Sequence, residues 1–361
     1  MCERKEPWLE NEIMGKIRKS NIELLRIIAM FMILVIHANM ISLSRPTSAE
    51  LIANPLATTT RYFIESFGIV GVDIFVLISG WFLINTRAKS FLSLFFQILT
   101  LWGGAFLLML FAGKTNMTLK NILEVLMFTK WDWFVKAYVV LMIIAPVLNT
   151  YIYNSSEKQQ RYVLLGFFGF SSTYGWLGGA NRFFVNGYGP LLFIGLYILS
   201  QYVHHKANNE STPFLIRKWF SLDKKHDLLV FLVCIIINTL IGLGGLYADV
   251  NIYGKVYAYT NPITIVAALY LLIFFSKLEI KPNKVVNAMA AGSFAVYLLH
   301  SQVDLRPMFN KVVQYLYNSV DNVGCILAIF TYLVLVYVAS VVIDLPRLWM
   351  WNRISNKYNI R

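Results

Sequence analysis

Long apolar runs, broken by short polar and basic segments, set the pattern of this chain. Ten runs stand out, at about residues 22–42, 67–84, 91–112, 133–150, 162–178, 188–203, 228–247, 258–276, 286–303 and 323–343. Most approach the roughly 20 residues that an α-helix needs to cross a hydrocarbon core of about 30 Å. The fifth, sixth and ninth are short or rich in Gly and Ser. The pattern predicts an all-α, polytopic membrane protein built as a bundle of about ten transmembrane helices. The bundle is expected to occupy residues 21–345, between an N-terminal segment (1–20) and a C-terminal tail (346–361). No internal repeat is visible, which counts against repeat-built transporter folds.

The basic residues assign a direction. With both termini cytoplasmic, the inside segments carry 21 Lys and Arg and the outside loops nine, with Arg26 and Lys136 inside spans. Such an excess is what the positive-inside rule demands, so both termini are expected in the cytoplasm. Composition agrees with a membrane protein. At 57% hydrophobic, 14% charged and a mean hydropathy of +0.58, the 361 residues offer too little polar surface for a soluble chain. The net charge of +13 would suit nucleic acid, but the basic residues lie scattered between apolar runs, so no nucleic-acid partner is expected. Cys2, Cys234 and Cys325 form no CxxC pair, which speaks against a disulfide framework or a thiolate metal site. The first twenty residues are mixed in charge with no small-residue cleavage site after them, so the first span is expected to be retained.

Candidate chemistry enters with the ionisable residues inside the spans. "LLRIIAMFMILVIHANM" holds Arg26 and His37, although a central Arg costs about 2.5–3.5 kcal/mol on insertion scales. Their eleven-residue spacing is about three helical turns, which puts both side chains on one face, roughly 16 Å apart. The predicted orientation leaves Arg26 near the cytoplasm and His37 in the outer half. Asp73 comes to about the same depth as His37. His300 and the "WDWFVKAY" segment, with Trp131, Asp132, Trp133 and Lys136, also reach the outer level.

Each of these has a plainer reading. An intramembrane His can bond two helices, an Asp can offset a helix dipole, and Lys136 can snorkel. Trp131 and Trp133 suit an interfacial belt, and His300 with Ser301 and Gln302 suits a wet helix end. His204, His205 and His226 belong to a basic loop. The combination says more. A His beside a carboxylate is the arrangement of a general base, and an Arg three turns below suits a phosphate-bearing ligand from the cytoplasm. The chain has no Gly-rich phosphate loop, no metal-ligand spacing and no Gly-x-Ser-x-Gly elbow, so no metal is expected.

The Arg26 and His37 pair, followed by "GVDIFVLISG" from Gly71 to Gly80, resembles membrane acyltransferase family 3. "WFVKAYVVLMIIAPVLN" and "GSFAVYLLHS" resemble it too, so the likeness runs from about residue 20 to 345. The family resemblance implies an enzyme that moves an acyl group, usually acetyl, from cytoplasmic acyl-CoA to a glycan or lipid-linked sugar beyond the membrane. Carried over by motif, His37 would be the catalytic base, oriented by Asp73, with acceptance of the acyl group by His37 itself as the alternative, and Arg26 would be a donor-binding or site-organising residue. Ser79 and Gly80 would belong to the second-helix motif. Trp133, Lys136 and Tyr138 would line the acceptor side, with His300 also at the substrate. Lys136 or a helix-end N–H would receive the carbonyl charge. Acetyl-CoA would be the donor, and the place a bacterial plasma membrane, with membrane lipid around it.

Two departures stand out. Where many relatives carry two aromatics after the Asp turn, this chain reads Asp73-Ile74-Phe75-Val76. Only about eighteen residues follow the last run, so no fused extracellular domain is expected, and the acceptor would be met directly or through separate glycan-synthesis proteins. Two other classes fit the bare pattern: a transporter or flippase for glycans or lipid-linked sugars, and a sensor that binds without turnover.

Overall fold

The structure is a computed structural model that describes residues 19–84, 87–126, 132–178, 183–208, 223–319 and 322–358. Trp131 and most of the basic loop, 209–222, lie outside the described residues.

Several helix starts follow capping residues. α1 (Ser20–Ile36) runs directly into a π-helical turn, His37–Ser42. α2 (Ser48–Ala53) opens with a capping box in which the Thr47 hydroxyl accepts from the Glu50 N–H and the Glu50 carboxylate accepts from the Thr47 N–H. Asn54 caps α3 (Pro55–Phe82), its Oδ1 accepting from the Ala57 N–H at 3.2 Å. Pro55 sits at the first helical turn, where its missing N–H costs nothing. α4 (Ala88–Phe111) and α5 (Leu119–Leu126) come next, and then α6 (Trp133–Asn154), capped by Asp132. A Ser156–Gln159 capping box starts α7 (Glu157–Phe170), which a second π-helical stretch, Ser171–Leu177, prolongs. α8 (Pro190–Asn208), α9 (Lys224–Tyr247), the single turn α10 (Tyr253–Val256) and α11 (Pro262–Ser276) follow. α12 (Lys284–Ala291) and α13 (Ser293–His300) are one apolar run broken at Gly292. The amphipathic α14 (Arg306–Ser319) leads to α15 (Asn322–Lys357). Among the described residues there is no strand.

A helix occupies each of the ten apolar ranges, and among the described residues six helices are long and apolar enough to cross a membrane: α1 with its π turn, α3, α4, α6, α9 and α15. The perimeter is apolar. Leu108, Phe111, Ile143, Val147, Leu240 and Leu335 are all exposed on it. In water such a surface would associate; against lipid chains it is the correct solvent face. The polar residues point inward instead, with Glu65, Asp73, Asn238 and Asp344 all buried. This is an all-α polytopic membrane protein.

The elements depart from the predicted runs in two places. α3 begins at Pro55 rather than at 67, because Arg61 and Glu65, which read as loop, are inner-facing helix residues with partners. α15 continues to Lys357, so much of the expected 346–361 tail is helix.

α3 is the central helix, packed by α1, α8, α9 and α11. Two glycines make that possible. A Cβ at Gly71 would stand 2.7 Å from the Ala29 carbonyl oxygen of α1, and one at Gly80 would stand 2.4 Å from the Tyr197 carbonyl oxygen of α8. Both obstacles are backbone, which cannot rotate away. Gly80→Ala is therefore expected to cost about 1–3 kcal/mol and to lower the unfolding midpoint in detergent. Gly103→Ala, on an open face of α4 with nothing within 4 Å, should not lower it. Equal midpoints for the two variants would contradict the packing argument.

Candidate active site

One end of the bundle, where α1 begins, holds a cavity of about 350 Å³ between α1, α4, α6 and α15. Arg26 from α1 and Arg347 from α15 stand in its wall, with Ser90, Ser93 and Gln97 from α4 and Tyr138 from α6. Ser90, Ser93 and Gln97 share one face of α4 because their spacing follows the helical repeat. Arg26 is held by Glu23, one turn earlier, its Nη1 donating to Oε2 at 2.6 Å. Tyr138 is held from behind. The Ser79 hydroxyl donates to the Phe75 carbonyl at 3.0 Å, so the Tyr138 hydroxyl, 3.1 Å away, is the one that donates to Ser79 Oγ. Two guanidinium groups, two serine hydroxyls and a phenol suit an anionic ligand rather than a cation.

The other end holds a pair of histidines. His37, the first residue of the π turn, places Nδ1 2.8 Å from Nε2 of His300, at the last position of α13. The rings lie 4.9 Å apart, centre to centre. His300 is buried, and its Nδ1 lies 2.6 Å from the Val296 carbonyl oxygen. A carbonyl only accepts, so in the neutral pair His300 carries its proton on Nδ1 and presents a bare Nε2. His37 must then donate from Nδ1, which leaves the lone pair of His37 Nε2 free. Hydrogen-bond logic thus assigns both tautomers. His37, unlike its partner, keeps partial exposure.

The π turn is tied down around His37. Ser42 Oγ lies 3.0 Å from the His37 carbonyl oxygen and 2.8 Å from Asn310 Oδ1 of α14, so its one proton is shared between two acceptors, while Gln314 donates to the Ser42 carbonyl at 2.7 Å. Asn39 donates to the Arg61 carbonyl and to Glu65, and Tyr253 donates to the other Glu65 oxygen at 2.8 Å. Phe309 of α14 covers the His300 ring at 5.6 Å. π turns recur at functional sites because the extra residue re-aims the side chains beyond it. Here that turn begins at the partly exposed histidine itself.

Aromatic rings separate the two ends. Phe75, Phe134 and Phe294 line the cavity, and Phe134 stands 5.1 Å from Tyr297, which meets the His300 ring edge-on at 5.9 Å. The Tyr297 hydroxyl donates to Asp132 at 2.5 Å, which fixes the ring.

The residues singled out in the sequence thus divide. His37 and His300 meet, and Arg26 and Tyr138 share a cavity. Trp133 joins Tyr188, Tyr259 and Phe193 in an aromatic cluster, and Lys136 is exposed on α6 and is not among the residues lining the cavity. The expected orientation of His37 by Asp73 is not made. Asp73 is fully buried on α3 and neither of its oxygens has a hydrogen-bond partner, while His37 turns to His300. Matched depth does not imply matched azimuth. An unpartnered buried carboxyl is costly, so Asp73→Asn is expected to raise the unfolding midpoint in detergent, by of the order of 1 kcal/mol. A clear fall instead would mean that the carboxyl is bonded in the working protein. Sequence reasoning missed Glu65 and Arg347, the first because it precedes an apolar run and the second because it comes after one. Among the described residues no group of three or more His, Cys, Asp or Glu could hold a metal ion.

Comparison with known proteins bears on this geometry. Neither the curated proteins nor the solved structures contain a match to the chain. A family model described as an acyltransferase domain matches residues 19–345, a range that takes in Arg26, the Gly71–Gly80 segment, both histidines and nearly the whole bundle. The chain belongs to acyltransferase family 3 and is a membrane acyltransferase.

Proposed function

We propose that the protein transfers an acyl group, acetyl in the first instance, from acyl-CoA in the cytoplasm to a hydroxyl of an extracytoplasmic glycan or lipid-linked sugar. The setting is a bacterial plasma membrane, with both chain termini inside. The observation that carries this reading is the histidine pair, which leaves His37 Nε2 unprotonated at the opposite end from an arginine-lined cavity. The family match takes the ground from the transporter reading.

The donor fits the cavity in part. A volume of about 350 Å³ is at the small end for ligand sites, so it takes a portion of a nucleotide-bearing donor and leaves the rest at the surface. Arg26 meets phosphate, and the thioester lies toward the aromatic rings. At the other end His37 Nε2 takes the proton of the sugar hydroxyl as its oxygen attacks the thioester carbonyl. The tetrahedral intermediate collapses, the C–S bond breaks, and the thiolate leaves with the proton that His37 received. His300 holds the His37 ring throughout, as a positioning residue. Arg306, exposed at the start of the helix that packs against the His37–Ser42 turn, takes the place of Lys136 as the group that meets the carbonyl oxygen.

Base-labile acetate on surface and exported glycans tests the proposal. Cells that express the protein should carry acetate that an empty vector does not confer, and membranes from them should release CoA thiol from acetyl-CoA. Well-expressed protein with neither signal, across a panel of glycan acceptors, would reject it.

A further inference from the structure

The cavity wall contains a second arginine, to which the proposed transfer gives no role. Arg347 comes directly after Pro346 in α15 and lies two positions beyond the end of the acyltransferase match. It is 5% exposed, and its partner Asp344 is fully buried. The pair is bidentate: Nε donates to Asp344 Oδ1 at 2.8 Å and Nη2 donates to Oδ2. Gln97 of α4 also donates to Oδ2, at 3.1 Å. Asp344 is thereby bonded on both oxygens, whereas Arg347 has spent two of its five N–H groups on it.

A purely structural pair would tie α15 to α4 just as well from a closed interface. This one forms part of the wall of an open cavity that Arg26 also lines. The two arginines are built alike. Each is held by a carboxylate three residues earlier on its own helix, Glu23 for Arg26 and Asp344 for Arg347. Such a pair carries no net charge, which lowers the cost of keeping a guanidinium inside a membrane protein, and it fixes the direction of the remaining donors. Ser90 and Ser93 add hydroxyls from the first turns of α4 to the same wall.

We propose that Arg347 is a second anion-binding residue of the donor site, and that with Ser90 and Ser93 it holds a phosphate of the acyl-CoA. This rests on the cavity being the donor site of the proposed transfer. Arg26 and Arg347 then grip the phosphate-bearing part of the donor from two helices far apart in sequence, α1 and α15. Asp344 and Gln97 act through Arg347 by fixing its fork.

The test compares the wild type with the double variant Arg347→Gln/Asp344→Asn, which leaves no orphaned charge. Each is supplied with two donors, acetyl-CoA and phosphate-free acetyl-pantetheine. Loss of one charge-assisted contact should raise the KM for acetyl-CoA about tenfold, equivalent to about 1.4 kcal/mol, with kcat changed less than threefold. The KM for acetyl-pantetheine should be the same in both proteins. CoA should raise the unfolding midpoint of the wild type more than that of the variant. An unchanged KM for acetyl-CoA would overturn the proposal, and so would an equal rise for both donors, which marks general distortion. If the wild type neither turns over acetyl-CoA nor is stabilised by CoA, the donor reading itself fails and this assignment falls with it.

Discussion

Alanine at position 37 is expected to lower acyl transfer by about 10²–10⁴-fold, the range a positioned general base contributes. The expectation rests on the bare Nε2 lone pair that the His300 contact leaves on His37. The fold should survive, because His37 is partly exposed and its side chain makes one hydrogen bond, to His300. His37→Gln sharpens the test. A glutamine amide can still donate toward His300 but cannot take a proton from a sugar hydroxyl. Both variants should run in detergent as the wild type does, with the same unfolding midpoint within about 1 kcal/mol. Near-normal transfer by either, measured as base-labile acyl per molecule of protein, would remove His37 from the chemistry.

The second large effect belongs to His300, which acts through its partner. His300→Phe keeps the ring contact with Phe309 but offers His37 Nδ1–H nothing to bond. The His37 ring is then free to turn and to exchange tautomers, and kcat should fall about 10–100-fold, as when a group that orients a functional imidazole is removed. His300→Gln puts back an oxygen that can accept from Nδ1–H and should recover most of the loss. Recovery by Gln separates orientation from packing, since Gln fills the ring's space less well than Phe. The acid limb of the kcat profile should also move in His300→Phe and return in His300→Gln. Equal activity for the two variants would assign His300 to packing alone.

Apolar length made the helical bundle legible, because lipid demands long apolar faces and leaves the polar groups few places to go. The boundaries failed where polar residues lie inside helices. Arg61 and Glu65 look like loop until Asn39 and Tyr253 are seen to bond them. Arg347 looks like tail until Asp344 and Gln97 are seen beside it. Part of the Gly71–Gly80 motif is packing: both glycines are places where another backbone comes too close for a side chain. Counting along the expected helices brought His37 and Asp73 to about one depth, with His300 near the same end. Which of them touch could not. Rotation about each helix axis decides that, and the π turn begins at His37, so the phase that 3.6 residues per turn assigns to the next side chains no longer holds.

The layer of rings between cavity and histidines has a consequence for the cell as well as for the reaction. A protein that draws one substrate from each side of a membrane must not become a pore between them. At a membrane potential of 100 mV, every elementary charge that slips across dissipates about 2.3 kcal/mol. Under the proposed transfer, Phe75, Phe134, Phe294 and Tyr297 would form an electrical insulator at the place where the two substrates meet. Their flat apolar faces tolerate an uncharged thioester sliding between them and resist a hydrated ion. The proposed transfer would then pass an acyl group outward while the proton gradient stays charged.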